Sequence, residues 1–149
     1  MTGDDDMPVP APAFSDHFTD PLYEDRGDEF APFGSDEGSD LLATWEERRG
    51  ELDASSTLAT VLECDPEQVS RVSGPMEGID GLDTAMTVRS AAFVLLRLVG
   101  RLSEEDRRLA LAALDFEIGI IPSINPDLAE TPAALLTQRQ DLTSWVDPA

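Results

Sequence analysis

Lysine is absent from this chain of 149 residues: all ten basic residues are arginine, against thirty-one aspartates and glutamates. The formal net charge is therefore −21 at pH 7. Such a deficit of positive charge disfavours nucleic acid and anionic membrane as partners, because both are bound through basic side chains. The negative field attracts basic proteins and cations instead. We therefore expect a basic protein partner, no direct contact with nucleic acid and no membrane partner.

Cysteine and long apolar runs are also scarce. The single Cys64 excludes an intramolecular disulfide and is typical of a reducing compartment. The first residues are acidic where a secretory signal is basic, and the apolar run of residues 91–99 is too short to span a bilayer. The sequence therefore predicts a cytoplasmic protein.

Residue types that carry out nucleophilic catalysis are few as well. His17 is the single histidine, and it lies far along the chain from Cys64, which follows apolar residues as a buried structural cysteine does. Glu77 and Asp80 resemble half of the magnesium-binding motif of all-α nucleotide pyrophosphohydrolases, but no ExxE motif precedes them at the required distance. We therefore expect a protein that is not an enzyme and that uses no cofactor or metal.

Acidic residues are concentrated at the front of the chain. Residues 1–54 hold sixteen acids against three arginines, a local charge of −13, whereas residues 55–149 hold fifteen acids against seven arginines, or −8. Residues 1–13 combine an acidic run with alternating prolines, which favour an extended chain. We predict that residues 1–13 form a flexible arm and that residues 14–149 fold as a single helical domain.

Apolar residues recur at helical spacing through most of the chain, and no pair of segments carries the turn of a β-hairpin. The sequence predicts an all-α fold: a compact bundle of five to six helices, on which residues 14–38 pack as an irregular acidic and aromatic segment. The predicted helices cover residues 39–50, 56–64, a short stretch after Asp65 and Pro66, 83–100, 103–117, and a last helix from residue 131.

The helix at residues 83–100 has the broadest apolar stripe, and we predict that it lies at the centre of the bundle. Residues 74–83 carry three glycines and a proline, which predicts a loop before that helix. Residues 118–126 are apolar, β-branched and bounded by proline. They are consistent either with a buried crossing loop or with one short strand.

The stretch DEFAPFGSDEGSDLL, residues 28–42, holds two phenylalanines, two glycines and five carboxylates. Its acids do not keep the alternating spacing of a calcium-binding loop. Ser35, Asp36 and Ser39 or Asp40 suit the start of a helix, where side-chain oxygens accept from unpaired backbone amides. The stretch is therefore either a helix start with its phenylalanines buried, or a surface that meets a basic partner.

The run DEFAPFGSDEGSDLLATWEE, preceded by DPLYED, resembles the acidic APFG-(N/S)-D-x-G-(A/S)-D segment of the YfeS-like family of small bacterial proteins. The resemblance covers residues 20–48, and we find no counterpart of the family for residues 74–149. It indicates that the spacing of glycines and acids is a motif, and it implies no reaction or catalytic residue. The motif positions in this sequence are Pro32, Phe33, Gly34, Asp36, Gly38 and Asp40.

Arg89 and Arg97 lie in the predicted central helix, eight residues apart. At about 100° per residue, they project roughly 80° apart around the helix. We interpret both as lying on its polar edge and pairing with surplus acids, the alternative being an anion site.

These features favour a small binding protein, a neutralising or regulatory partner of a basic protein in the manner of immunity proteins and antitoxins. Two alternatives stay open: an inhibitor that mimics nucleic acid, and a non-catalytic domain whose charge serves solvation alone. Carboxylates would steer the partner and aromatic residues would anchor it. The predicted contact residues are Phe30, Phe33, Asp36, Glu37, Asp40, Trp45, Glu46 and Glu47.

Overall fold

The computed structural model describes residues 8–65, 67, 78–124 and 132–146. These residues contain α-helices and no strand, so the predicted all-α fold is confirmed for the described part of the chain. Two short 3₁₀ turns, Pro21–Glu24 and Arg49–Glu51, join some of the helices. The α-helices whose bounds lie within the described residues are α1 (Pro12–His17), α2 (Asp36–Glu47), α3 (Leu58–Leu62), α4 (Gly78–Leu98), α5 (Glu104–Ile124) and α6 (Ala133–Ser144).

Helix α4 is the central helix, as predicted from its apolar stripe. Every residue from 88 to 98 is buried, because α5 packs along one side of α4 and α2, α3 and α1 cover the others. Helix α6 packs on α5. A helix enclosed in this way is apolar around most of its circumference, and the apolar run of residues 91–99 is therefore the middle of the core.

Two predicted loops are helical instead. Helix α4 begins at Gly78, so residues 78–83 of the predicted loop at 74–83 form its first turns; Gly81 is buried and Leu82 packs against the core. Helix α5 continues through Pro122 to Ile124, so residues 118–124 are neither a crossing loop nor a strand. In both segments, burial of apolar side chains outweighs the weak intrinsic helix preference of glycine, proline and β-branched residues.

Helix α2 begins at Asp36, three residues before the predicted start at residue 39. Helix α3 is shorter than the predicted helix at 56–64, and Thr57 and Thr60 cap it reciprocally. Residue 67 is helical, but the rest of the short helix predicted after Pro66 lies outside the described residues, as do residues 74–77 of the predicted loop.

Residues 8–13 of the predicted arm make fixed contacts with the bundle. The guanidinium of Arg97 donates to the carbonyl oxygen of Pro8 at 2.9 Å, that of Arg49 donates to Val9 at 2.8 Å, and the backbone amide of Ala11 donates to the carbonyl oxygen of Arg97 at 2.7 Å. Helix α1 starts at Pro12. The predicted boundary at residue 13 is therefore too late, because residues 8–12 dock on α4 as well.

Aromatic side chains join the irregular segment before α2 to the bundle. Phe14, Phe18, Tyr23 and Phe33 are buried, and Phe18 and Tyr23 both pack against Phe93 of α4. Burial and a 2.7 Å hydrogen bond to the carboxylate of Asp141 raise the pKa of Tyr23. These buried aromatic contacts hold the segment before α2 on the bundle.

The start of α5 holds a buried carboxyl group. Asp106 accepts a hydrogen bond from the backbone amide of Leu58 at 3.2 Å, so it caps the first turn of α3, and burial raises its pKa above the usual value. A carboxyl whose pKa is raised by folding stabilises the native state below its unfolded pKa, and this contribution is lost as the pH rises through the folded pKa.

We therefore expect Asp106→Asn to be at least as stable as the parent at pH 7. The amide keeps an acceptor for Leu58 and carries no buried charge. The advantage should shrink as the pH falls through the raised pKa, as measured by thermal unfolding between pH 7 and pH 4. A loss of stability at pH 7 that is unchanged at pH 4 would mean that Asp106 acts as a favourable ionised cap.

No helix in the described part of the chain combines the length and the apolar character needed to cross a membrane.

Candidate partner-binding site

The turn before α2 brings backbone segments into close contact at two glycines. A Cβ atom at Gly34 would lie 2.0 Å from the carbonyl oxygen of Asp28, and one at Gly38 would lie 1.9 Å from the carbonyl oxygen of Pro32. No side chain fits at such distances, so both positions require glycine unless the backbone moves. The two glycines of the motif therefore fold residues 28–35 tightly against the first turn of α2.

The side chain of Ser35 caps α2, accepting from the backbone amide of Gly38 at 3.1 Å. Asp36 and Glu37 lie in the first turn, where the helix dipole favours negative charge. The predicted helix start within the acidic stretch is thus present, with Ser35 as its cap. The hydroxyl of Ser39 instead accepts from the guanidinium of Arg26 at 3.2 Å.

The structure divides the predicted contact residues into two groups. Phe33 and Trp45 are buried, with 1% and 2% of their surface exposed, and the indole of Trp45 donates to the carbonyl oxygen of Val61 at 3.0 Å. The prediction that they are surface anchors is therefore wrong in this fold. Helical spacing places Trp45 on the inner face with Leu42, and the turn carries Phe33 inward. Phe30 is half-buried against the core.

The five carboxylates among the predicted contact residues are all exposed. At about 100° per residue, Asp36, Asp40 and Glu47 project within a narrow sector on the outer side of α2. Glu37 lies on the edge toward α4, where its carboxylate accepts from the hydroxyl of Thr87 at 3.2 Å. Glu46 lies on the opposite edge. We call these five residues, Asp36, Glu37, Asp40, Glu46 and Glu47, the α2 acidic face.

The ion pairs of arginine within the described residues lie away from this face. The acids paired with arginine in the described part of the chain all lie outside α2. Within that part, no carboxylate of the α2 acidic face forms an ion pair, although Arg26 lies beside α2 at Ser39. The paired acids are Glu24, Glu51, Glu63, Glu104, Asp115 and Glu117.

A shallow pocket of about 330 Å³ opens between α2 and α4 at the edge of the acidic face. Carboxylates and hydroxyls supply its polar wall, and Leu41 supplies an apolar surface. Ser90 is 1% exposed, and its hydroxyl has no hydrogen-bond partner among the described residues. The lining residues are Glu37, Asp40, Leu41, Thr44, Thr87 and Ser90.

Arg89, which precedes Ser90 in α4, is fully buried, so the prediction that it lies on a polar edge is wrong. Its guanidinium forms a bidentate pair with the carboxylate of Glu117, with N–O distances of 2.7 and 3.0 Å, and donates to Gln138 Oε1 at 3.0 Å. Arg89 and Gln138 also donate to the carbonyl oxygen of Phe30. The pairing with an acid was predicted correctly. The network connects α4, α5 and α6 to the turn before α2.

Burial has the largest effect on the pKa of Glu117, which is raised above its usual value. Loss of solvent raises the pKa of Glu117, whereas the adjacent guanidinium of Arg89 lowers it; the charge of Glu37 on the surface adds to the rise. Glu37 of the α2 acidic face therefore interacts electrostatically with the buried carboxyl of Glu117.

Arg97 is also buried rather than on a polar edge. Its guanidinium pairs with both carboxylate oxygens of Glu24 and lies 5.4 Å from the ring centre of Phe33. It thus holds the irregular segment against α4. Both arginines have protein partners for their guanidinium groups, so the geometry gives no support to an anion site.

The fold places His17 next to a hydroxyl, but not in an arrangement suited to catalysis. Nε2 of His17 lies 2.7 Å from the carbonyl oxygen of Asp141, and since a carbonyl can only accept, Nε2 must carry the proton. It therefore cannot take a proton from Ser144, whose hydroxyl lies 3.1 Å away and also donates to that carbonyl. Cys64 is half-buried against the core.

In the described part of the chain, no three histidine, cysteine or acidic side chains converge as ligands for one ion. The carboxylates of the α2 acidic face are spread along the helix, which suits a wide electrostatic surface rather than a point site.

Together, the fold and this face define a small acidic all-α domain. The chain is 30% identical to the uncharacterized protein YfeS of Escherichia coli (strain K12) over 117 aligned residues, which confirms the resemblance to the YfeS-like family. The match covers 69% of this chain, whereas residues 1–73 make up only about half of it. The match therefore extends beyond residues 20–48. The expectation that residues 74–149 have no counterpart in the family was wrong for at least part of that range.

The chain spans about half the length of this relative, with 48% of YfeS covered. No protein-family model matches the chain. No solved structure matches it either.

Proposed function

We propose that this chain is a non-catalytic cytoplasmic binding protein whose α2 acidic face covers a basic surface of another protein. In this role it neutralises or regulates its partner, as immunity proteins and antitoxins do. The observation that carries the proposal is that none of these five exposed carboxylates has an arginine partner within the described residues, whereas six acids outside α2 do. A surface with uncompensated charge is one that can steer a basic partner toward it.

The motif in the acidic stretch supports the same proposal. Gly34 and Gly38 are explained by backbone contacts, and Phe33 by burial in the core. Asp36 and Asp40 are exposed, and helix capping is performed by Ser35. The dipole of α2 accounts for one favourable charge in its first turn, but not for an acid on the outer side of its second turn at Asp40.

If the acidic residues served solvation alone, they would be distributed differently along the chain. Acids that serve only to keep a protein hydrated would be distributed over all helices, whereas residues 1–54 carry −13 of the net charge of −21. The concentration of charge on and before α2 favours binding. Mimicry of nucleic acid is a form of the same proposal in which the basic partner binds DNA or RNA.

Affinity capture from the source organism tests the proposal. At low salt, the parent protein should retain a basic partner that the triple variant Asp36→Asn, Glu37→Gln, Asp40→Asn does not, because the variant removes three of the five negative charges on the face. The control removes three exposed acids outside α2: Asp16→Asn, Glu29→Gln and Glu105→Gln. It should retain the same partner. Equal retention by both variants, with their folds intact, would contradict the proposal.

A further inference from the structure

Ser90 is the feature of the pocket between α2 and α4 that neither the fold nor the acidic face explains. Its side chain is 1% exposed, and its hydroxyl has no hydrogen-bond partner among the described residues. A buried hydroxyl without a partner is unfavourable, and such groups are rare in native structures. Since Ser90 lines the pocket, a group bound there can supply the missing hydrogen bond.

The rest of the pocket identifies the chemistry of that group. Glu37 and Asp40 are carboxylates, and the hydroxyls of Thr44 and Thr87 add further acceptors. Thr87 Oγ1 lies 2.9 Å from the carbonyl oxygen of Asp83 and 3.2 Å from Glu37 Oε2, so its single proton is shared within the protein and its lone pairs remain for a donor. A pocket of acceptors with two negative charges is complementary to a cationic N–H donor.

An organic cation fits this lining better than a metal ion does. Divalent metals in proteins are held by several converging oxygen ligands, and the pocket offers two carboxylates. Leu41 provides an apolar wall, against which an alkyl stem can pack while the charged end reaches the polar side chains. Lysine and arginine side chains have both parts.

We propose that this pocket receives a lysine or arginine side chain of the basic partner, with Glu37 and Asp40 pairing with its charge and the hydroxyl of Ser90 accepting a hydrogen bond from it. The inference deepens the proposed function, on which it rests, by naming the point of insertion. Of the α2 acidic face, Glu37 and Asp40 then bind the inserted group, while Asp36, Glu46 and Glu47 contribute to steering.

Short capped peptides test the pocket without the natural partner. The probes are acetylated, amidated glycine peptides with a central lysine or arginine, and a neutral peptide with norleucine at that position. In two-dimensional NMR titrations of the ¹⁵N-labelled full chain at low salt, a basic peptide should shift the amide signals of Thr87 and Ser90. The norleucine peptide should not. The lysine and arginine arms show which of the two cations the pocket prefers.

Two double variants that remove the same amount of charge distinguish binding in the pocket from general electrostatic attraction. Glu37→Gln with Asp40→Asn should weaken binding of the basic peptide about tenfold. Glu46→Gln with Glu47→Gln, which lie outside the pocket lining, should change it less than about twofold. Equal weakening by both pairs would overturn the proposal, because attraction would then depend on net charge alone.

For Ser90→Ala the informative measurement is peptide binding, because binding would not change if Ser90 had only a structural role. Removing an unpartnered hydroxyl should leave the melting temperature unchanged or higher, yet weaken peptide binding about threefold. Normal binding by Ser90→Ala, or absence of shifts at Thr87 and Ser90 with both basic peptides, would overturn the inference. The proposed function would still stand if the partner is captured and the triple variant loses it.

Discussion

Replacing Arg89 with methionine should lower the free energy of unfolding by about 3–5 kcal/mol, because the carboxylate of Glu117 is then buried without its partner. The same substitution removes a donor to Gln138 and to the carbonyl oxygen of Phe30, so the turn before α2 should loosen as well. Chemical denaturation monitored by circular dichroism at pH 7 measures the loss.

The pH dependence of this variant identifies the mechanism. Without Arg89, nothing opposes the effect of burial on the pKa of Glu117, so the carboxyl should take up a proton at a higher pH than in the parent. The destabilisation should therefore diminish as the pH falls through the pKa that Glu117 has in the variant. A loss that is constant from pH 7 to pH 4 would mean that lost packing, rather than an unpaired charge, is responsible.

Two controls complete the experiment. The double variant Arg89→Met, Glu117→Met should recover much of the lost stability, because apolar side chains often replace a buried ion pair without loss. Arg139→Met breaks the exposed pair with Asp115 and should have little effect, because solvent already screens that pair. A stability loss for Arg139→Met that equals the loss for Arg89→Met would contradict the importance of burial.

Gly38→Ala should lower the free energy of unfolding by about 2–3 kcal/mol, because overpacking at a backbone contact forces the chain to move. The added Cβ would lie 1.9 Å from the carbonyl oxygen of Pro32, which is backbone and cannot rotate away. Thermal and chemical unfolding of the purified variant measure the effect. Binding measured on the same sample shows whether displacement of α2 also disturbs the acidic face.

The matched control is Gly50→Ala. Gly50 is exposed, and a Cβ there would have no heavy atom within 4 Å, so the substitution should leave stability nearly unchanged. If Gly38→Ala were as stable as Gly50→Ala, then the motif glycines would not be required by the packing of the turn, and another reason for them would be needed.

Sequence patterns predicted the elements whose signals are local. The apolar stripe of α4 and the start of the helix predicted at residue 103 are such local signals, and Ser103 accepts a hydrogen bond from the backbone amide of Asp106 at 3.1 Å just before α5. The extensions of α4 to Gly78 and of α5 to Ile124 were missed, because glycine and proline are local helix breakers. Their tolerance here depends on tertiary packing that one segment does not reveal.

The candidate site was predicted only in part, because tertiary contacts also position some of its side chains. Acidity and turn residues pointed to the stretch around α2, and its carboxylates are exposed. The burial of Phe33 depends on the path of the turn, which the sequence does not reveal. Trp45 lies on the same helix face as Leu42, so helical spacing alone could have placed it inward. Ser90 gave no sequence signal, since an isolated serine in a buried helix is ordinary. Arg89 and Arg97 were misplaced because charged residues rarely lie in a core without partners, and their partners are distant in sequence.

The rate of association with the captured partner, measured against salt concentration, tests the central claim most directly. Stopped-flow fluorescence should give a rate constant for the parent that falls steeply as salt rises, because charge steers the encounter. The triple variant Asp36→Asn, Glu37→Gln, Asp40→Asn should associate about tenfold more slowly at low salt, and the two rates should converge at high salt. An unchanged rate for the folded variant at low salt would contradict the account, and the α2 acidic face would then serve solvation and helix capping alone.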